Sequence, residues 1–486
     1  MSSASEFRKD PRNFPFLTKR YLALNPVNAT SDSSYSARAG LPLVKFDISS
    51  TALPTLLDAK ELRISGQITY RHSNGAKVTS VEKSFVDSYC GTFANCVDHI
   101  SLSSKRLASV IERNNNYSRQ VPSIISGLNT SSEINNTMYN NGGHTSTTPL
   151  QRHQLSTYND FTAQGRSTAG STDVGRDFSA PLYCGLLNSG DDINLASTTG
   201  QGGLTIEILL KPDVNVMFGA DANTNNNTYT LKNLVLTVPV YEVASSAAGA
   251  FAEAVTKFSF NSWSSMFQTI NSSTSVVAFT PGISRCTSMF MNNINTNELG
   301  DQRYNSCRLG NIGEVRQVRY TLNGALVPFQ FRLQTTEQAN NDSSVSRGRV
   351  GGTQLQLHSN SSRPMTLAPY LEALKTDSLA RVHGTSLAWN SWGSGVVDRS
   401  QTAGNGGVTP STAAGLGLLY DRYGSGVDLS LTTWAVELEA AANETVGVNQ
   451  EPIGLTGGPT TSQGCYLFFL NKNDLVYSQN GVNVVR

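Results

Sequence analysis

From Pro42 onward, apolar and polar residues alternate along the chain. Val44, Phe46 and Ile48 fall on one side and Lys45, Asp47 and Ser49 on the other, the period-two pattern of a half-buried strand. Leu62, Ile64, Ile68 and Tyr70 predict a second strand, ending at the turn-prone Ser73-Asn74-Gly75. Leu204, Ile206 and Ile208 predict another, as do Leu234, Leu236, Val238 and Val240, with Pro239 marking an edge or a strand end. Between these runs, Leu102, Leu107, Val110 and Ile111 lie near helical spacing and predict a helix in the segment Ser101–Tyr117. The polar stretch 113–177, rich in Asn, Ser, Thr and Gly, reads as a surface excursion.

At 243–257 the composition shifts to Ala with helix-compatible spacing, which predicts a helical linker over 244–272. The strand pattern then restarts. Val277 to Phe279 form one strand, and Val315, Val318, Tyr320 and Leu322 lead into an Asn323-Gly324 hairpin. A short helix is expected after Pro369, strands through Leu429, Leu431, Trp434, Val436 and Leu438, and a closing pair from Cys465 to the end. Residues 1–41 read as an arm rather than a strand or helix. Pro11 and Pro15 interrupt it, and Arg8, Lys9, Arg12, Lys19 and Arg20 outweigh Glu6 and Asp10. It reads either as a solvated tail or as a segment that orders against a neighbouring subunit or an anionic surface, with Phe7, Phe14, Phe16, Leu17, Tyr21 and Leu22 as apolar anchors. Many short strands without strand–helix alternation exclude a parallel α/β enzyme fold. What remains is all-β, sandwiches or barrels, among which an eight-stranded jelly roll is a natural size for each half; the chain then divides into an arm (1–41), a first jelly roll (42–243), the helical linker (244–272) and a second jelly roll (273–486). The Ala-rich helix at 244–257 is expected to clamp the two.

Composition narrows the function. Of 486 residues only 15% are charged, against about 25% in average chains, and Lys+Arg 37 against Asp+Glu 36 leaves a net charge of +1. No global electrostatic attraction to nucleic acid or an anionic membrane follows, and the arm is too weakly charged to neutralise a genome. No apolar run follows the basic residues at the start, so the chain reads as made and kept in a reducing cell interior, without a signal peptide. The six cysteines (Cys90, Cys96, Cys184, Cys286, Cys307 and Cys465) form no CxxC pair and read as buried free thiols. The six histidines have no metal-binding spacing, so no metal, cofactor or catalytic residue is assigned. Asp191 with Asp192, and Glu437 with Glu439, are the carboxylate pairs a glycosidase reading would need, the first in a turn and the second on the solvated face of a strand. Trp389, Trp392 and Tyr420 are the aromatics a lectin reading would use to stack on sugars.

Three stretches, HISLSSKRLASVIERNNNYSRQV, DFSAPLYCGLLNSGDDINLASTTGQGGLTIEILL and YTLKNLVLTVPVYEV, resemble in order the first jelly roll of double jelly-roll major capsid proteins, similar to those of polinton-like viruses and virophages. A Glu followed by an Asn- or Tyr-containing turn lies within Ser101–Tyr117, and the Phe-x-x-Pro-Leu-x-x-Gly-Leu-Leu segment is Phe178, Pro181, Leu182, Gly185, Leu186 and Leu187. TPGISRCTSMFMNN, YTLNGALVPFQ and YLFFLNKNDLVYSQNGVNVV are similar to the opening and closing strands of the second roll. The resemblance implies a non-enzymatic viral structural protein. Homotrimers would form pseudo-hexameric capsomers that tile an icosahedral virion shell around double-stranded DNA, with neighbouring capsomers, penton and minor or cement proteins as partners. Loops 113–177 and 331–365 would decorate the outer face. The alternatives are a lectin-like two-domain β-sandwich and a single jelly-roll capsid protein of a small virus.

Overall fold

The computed structural model of the chain describes residues 8–10, 12, 17–29, 33–38, 40, 42–51, 53–71, 92–106, 109–121, 173–196, 200–216, 228–254, 257–270, 274–295, 315–330, 333–334, 367–374, 416–420, 427–429, 433–440, 463–478 and 481–485. Its first half holds β1 (Leu17–Leu24), β2 (Ser34–Tyr35), β3 (Leu43–Ser49), β4 (Thr55–Leu57), β5 (Arg63–Arg71), α1 (Thr92–Cys96), β6 (Val97–Ser104), β7 (Val110–Asn114), β8 (Asp173–Pro181), β9 (Ile193–Asn194), β10 (Gly203–Leu210) and β11 (Thr228–Val243). The second half holds α2 (Ala248–Ala254), β12 (Lys257–Ile270), β13 (Thr274–Phe279), β14 (Cys286–Asn295), β15 (Val315–Leu322), β16 (Ala325–Leu326), β17 (Leu333–Gln334), α3 (Leu367–Leu374), β18 (Leu416–Leu419), β19 (Trp434–Ala440), β20 (Gln463–Ser478) and β21 (Gly481–Val485).

These strands build four antiparallel sheets, two per half. The registers reduce each sheet to four strand positions. Strand β11 is flanked by β5 along 228–237 and by β4 along 240–242, and both lie opposite β1 and β2. Thus β5 with β4 is one interrupted strand, β8 with β9 is its interrupted neighbour, and β1 with β2 closes the other side. The facing sheet runs β3-β10-β6-β7. In the second half β21 extends the position of β14 beside β20, and β16 and β17 share one side of β15. Each half is therefore an eight-stranded sandwich, and one continuous cluster of buried apolar residues runs through both. Alternation sets the inward faces: Val44, Phe46 and Ile48 are all essentially inaccessible, as are Leu204, Ile206 and Ile208.

Several local expectations are overturned. The segment read as a helix within 101–117 is the hairpin β6–β7 followed by a helical turn at 117–121. Leu102 and Ile111 are buried as strand residues because β10 supplies a ladder, Ile206 opposite Leu102, that no local spacing reveals. The arm contains a strand. β1 pairs with β11 from Leu17↔Val243 to Leu24↔Leu236, yet most of its side chains are exposed, so it carries no alternation to read. Ion pairs Lys19–Glu61 (2.8 Å) and Arg20–Glu242 (3.0 Å) hold it to the sheet. The helical linker is shorter than 244–272, since β12 pairs with β20 over its whole length. The helix itself leaves Ala250 exposed and is anchored by the fully buried Phe251.

Pro239 lies inside β11 rather than at its end. The β5 ladder stops at Thr237↔Arg63 and the β4 ladder resumes at Val240↔Leu57. The Pro239 carbonyl accepts from Asp58 N–H (3.0 Å) in this gap, so the missing proline donor faces the same interruption. Helix α3 begins at Leu367, before Pro369, which is tolerated because first-turn N–H groups have no intrahelical partner. The hairpin at Asn323-Gly324 forms as expected, both residues at positive φ (48° and 83°). Most of the excursion 113–177 and of loop 331–365 lies outside the described residues.

Candidate functional site: the junction of the two sandwiches

The interruption between β8 and β9 creates the site. Residues 182–192 leave the sheet as a compact turn, and that turn meets the edge strand β7 of its own sandwich and the edge strand β12 of the other. Glu112 on β7 is buried, with 3% of its surface accessible. Its Oε1 accepts from the Gly185 N–H (2.9 Å) and the Trp263 N–H (3.1 Å), and its Oε2 from the Leu186 N–H (2.8 Å). Gly185 and Leu186 belong to the first sandwich and Trp263 to the second, so one carboxylate bonds both. Among the described residues strand β12 is an edge whose outward N–H groups have no ladder partner, and the buried Glu112 carboxylate satisfies one of them.

Neighbouring residues lock the same turn. Two residues along β7, Asn114 Nδ2 donates to the Tyr183 carbonyl (3.1 Å), and the Tyr183 N–H donates to the Tyr117 hydroxyl (2.8 Å). Asn116 Nδ2 donates across the junction to Ser265 Oγ (3.3 Å). Gly185 is required by space rather than by φ: an added Cβ would sit 1.8 Å from the Asn261 carbonyl oxygen of β12. The Glu and the Asn- and Tyr-containing turn of 101–117 thus converge on the Phe178–Leu187 segment. Reading the sequence placed these two motifs apart and assigned them no contact. The available signal was a lone Glu beside the apolar pair Val110-Ile111.

A cleft of about 350 Å³ opens beside this carboxylate, lined among others by Arg113, Ser262, Ser264, Arg285, Asn471 and Asn473. The second sandwich braces its side with Asp474, which accepts from Ser259 Oγ (2.6 Å) and Arg285 (3.0 Å) and pairs with Lys257 (3.1 Å). Burial pushes the Asp474 carboxyl up, but the Ser259, Arg285 and Lys257 donors outweigh it and hold the carboxyl below its ordinary value. Burial, then the Glu112 charge, pushes the Cys184 thiol far up, so it is unreactive. Cys96, Cys184, Cys286 and Cys465 are buried free thiols. Cys90 and Cys307 lie outside the described residues.

Of the catalytic and glycan candidates, Asp192 and Tyr420 are tied into the fold. Asp192 is buried against the Arg8 guanidinium instead of facing a substrate cleft. Glu437 and Glu439 lie on β19, opposite Val276 and Thr274, and their side chains fall outside the described residues. Tyr420 is half-buried, its ring 4.6 Å from Trp434 and its hydroxyl 3.6 Å from Met289 Sδ, so it belongs to the second core. Trp389, Trp392, Phe7, Phe14 and Phe16 lie outside the described residues.

No protein-family model matches the sequence, and no curated protein matches it. Solved structures do match in shape. PBCV-1 VP54, fitted into a cryo-EM reconstruction of the virophage Sputnik, superposes with TM-score 0.51 at 10% identity over 97% of both chains. This chain has the double jelly-roll fold. The Sputnik virophage structure at 3.5 Å gives TM-score 0.51 at 9% identity, covering 96% of this chain and 88% of that one. The mavirus major capsid protein gives 0.50 at 8% identity, covering 96% and 90%. The two rolls thus recur together and in the same order, and the junction built on Glu112 and Gly185 is where this double jelly roll is joined.

Proposed function

We propose that this chain is a major capsid protein of a double-stranded DNA virus, related in design to those of virophages and polinton-like viruses, with a structural and non-catalytic role in the virion shell. The observation that carries the reading is the match of both rolls, in one frame, over 96–97% of the chain to capsid structures. The chain's own physics supports it. Two rigid sandwiches share one buried cluster, and the seam between them is made of backbone N–H groups and a buried carboxylate rather than of mobile surface contacts. A net charge of +1 lets many copies pack without mutual repulsion and leaves genome neutralisation to other components.

In this reading three copies form a pseudo-hexameric capsomer, with neighbouring capsomers, penton and minor or cement proteins as partners. The fused pair of rolls supplies two of six positions in each capsomer. Light scattering on the purified chain, joined to negative-stain imaging, tests it. The expected result is a particle of three times 52.2 kDa with a six-sided outline. A clean monomer at all concentrations would overturn the reading.

A further inference from the structure

A second buried carboxylate site lies on the first roll, away from the junction. Asp192, with 2% of its surface accessible, sits at the entry to β9 beside Asp58 and Asp191. Into this acidic socket the arm inserts Arg8. Its Nε donates to Asp192 Oδ2, its Nη1 donates to the Tyr241 hydroxyl (2.9 Å) and lies 3.9 Å from Asp58 Oδ2, and its guanidinium stacks 4.6 Å from the Tyr241 ring centre. A second cation approaches from β1. Lys19 Nζ pairs with Glu61 (2.8 Å), lies 3.9 Å from Asp58 and sits 5.5 Å over the same Tyr241 ring. The groups facing the socket are therefore Arg8 from the arm, Lys19 and Tyr21 from β1, Asp58 and Glu61 from the turn after β4, Asp191 and Asp192 before β9, and Tyr241 from β11.

We propose that this socket is an arginine-binding site for the protein's own N-terminal arm, and that mild acid releases the arm at Arg8 while strand β1 stays paired. The two anchors differ in their chemistry. Burial, only partly offset by Arg8, lifts the Asp192 carboxyl to about 6, with Asp58 and Asp191 adding repulsion. Glu61 is more exposed, and its bonds from Lys19 and Tyr21 hold it below its ordinary value. Arg8 favours ionised Asp192, so docking is strongest above the Asp192 titration and weakens as pH falls through it. Lys19 keeps Glu61 throughout that window, and the β1–β11 ladder is independent of pH. What comes free is the short described stretch around Arg8, which carries Lys9 besides Arg8.

The test attaches a fluorophore to the N-terminal amine of the full-length protein and follows its anisotropy from pH 8 to pH 5, with circular dichroism as a control for folding. Wild-type protein is expected to lose anisotropy with a midpoint near pH 6. Arg8→Ala is expected to show the low value at every pH, and Arg8→Lys an intermediate one, because an ammonium cannot stack and fork as a guanidinium does. Asp192→Asn is expected to remove the pH dependence, and the Arg8 variants carry the test alone if that protein does not fold. A flat wild-type profile, or an Arg8→Ala protein that titrates like wild type, would overturn the proposal. Anisotropy also falls when an oligomer dissociates, so light scattering at each pH separates release of the arm from a change of assembly and keeps the outcome distinguishable from that of the capsid reading.

Discussion

Glu112 and Asp192 are both buried carboxylates of the first jelly roll, and each is held in a different way. Glu112 accepts three backbone N–H groups, two from its own roll and one from the other. Asp192 is held by a single guanidinium brought in on a tether. Backbone donors are fixed by the fold and cannot leave, so the first site is permanent. A side-chain cation on an arm can leave, so the second can open. Burial of a charge alone therefore does not say whether a site is a weld or a latch; the covalent origin of its partners does.

The comparison breaks most sharply at Gly185. Gly185→Ala places a methyl where the Asn261 carbonyl stands, so the strands must part, and a loss of about 4 kcal/mol or more is expected with the rolls melting separately by calorimetry. A single unshifted transition would show that the junction has slack. Glu112→Ala leaves three buried N–H donors unmet, and denaturant titration should read a loss of about 3 kcal/mol. Asp474→Asn weakens the pairs to Lys257 and Arg285 for a loss of about 1–2 kcal/mol at pH 7. Because the Asp474 carboxyl is depressed in the folded state, that contribution is present above the ordinary carboxylate range and is lost as pH falls below about 4.

Asp192 carries the opposite sign. Its carboxyl is raised in the fold, so ionisation works against stability above about pH 6 and that strain is relieved as pH falls towards the unfolded value. Asp192→Asn should accordingly free the arm without lowering the melting temperature at pH 7, and a marked drop would make Asp192 a weld after all. The smallest effect is expected at Ala250→Asp, within about 0.5 kcal/mol by the same melts, because Ala250 faces solvent and the α2 helix is anchored through Phe251.

Much of the framework was legible in the residues. Strands β3, β10, β11, β15 and β19 follow period-two alternation, the Asn323-Gly324 turn announces its hairpin, and two β-rich halves follow from the restart of the pattern after the Ala-rich segment. Where the reading failed, the deciding partner was distant in sequence. β6 and β7 carry apolar residues at spacings that fit a helix, and only β10 makes them strands. β1 exposes most of its side chains, so nothing but its ladder to β11 identifies it. Pro239 is tolerated inside a strand because β5 and β4 leave a gap beside it.

The sequence by itself determined the all-β class, the two-roll division and the burial of the four described thiols, since each depends on residue type and short-range periodicity. The tertiary structure alone decided that Glu112 and Gly185 join the rolls and that Arg8 seats beside Asp192, contacts made across 151 positions from Glu112 to Trp263 and 184 from Arg8 to Asp192. The physical reason is that burial and hydrogen bonding are properties of a place. A glutamate in a strand edge and an arginine in an arm look like solvated charges until the chain brings their partners to them.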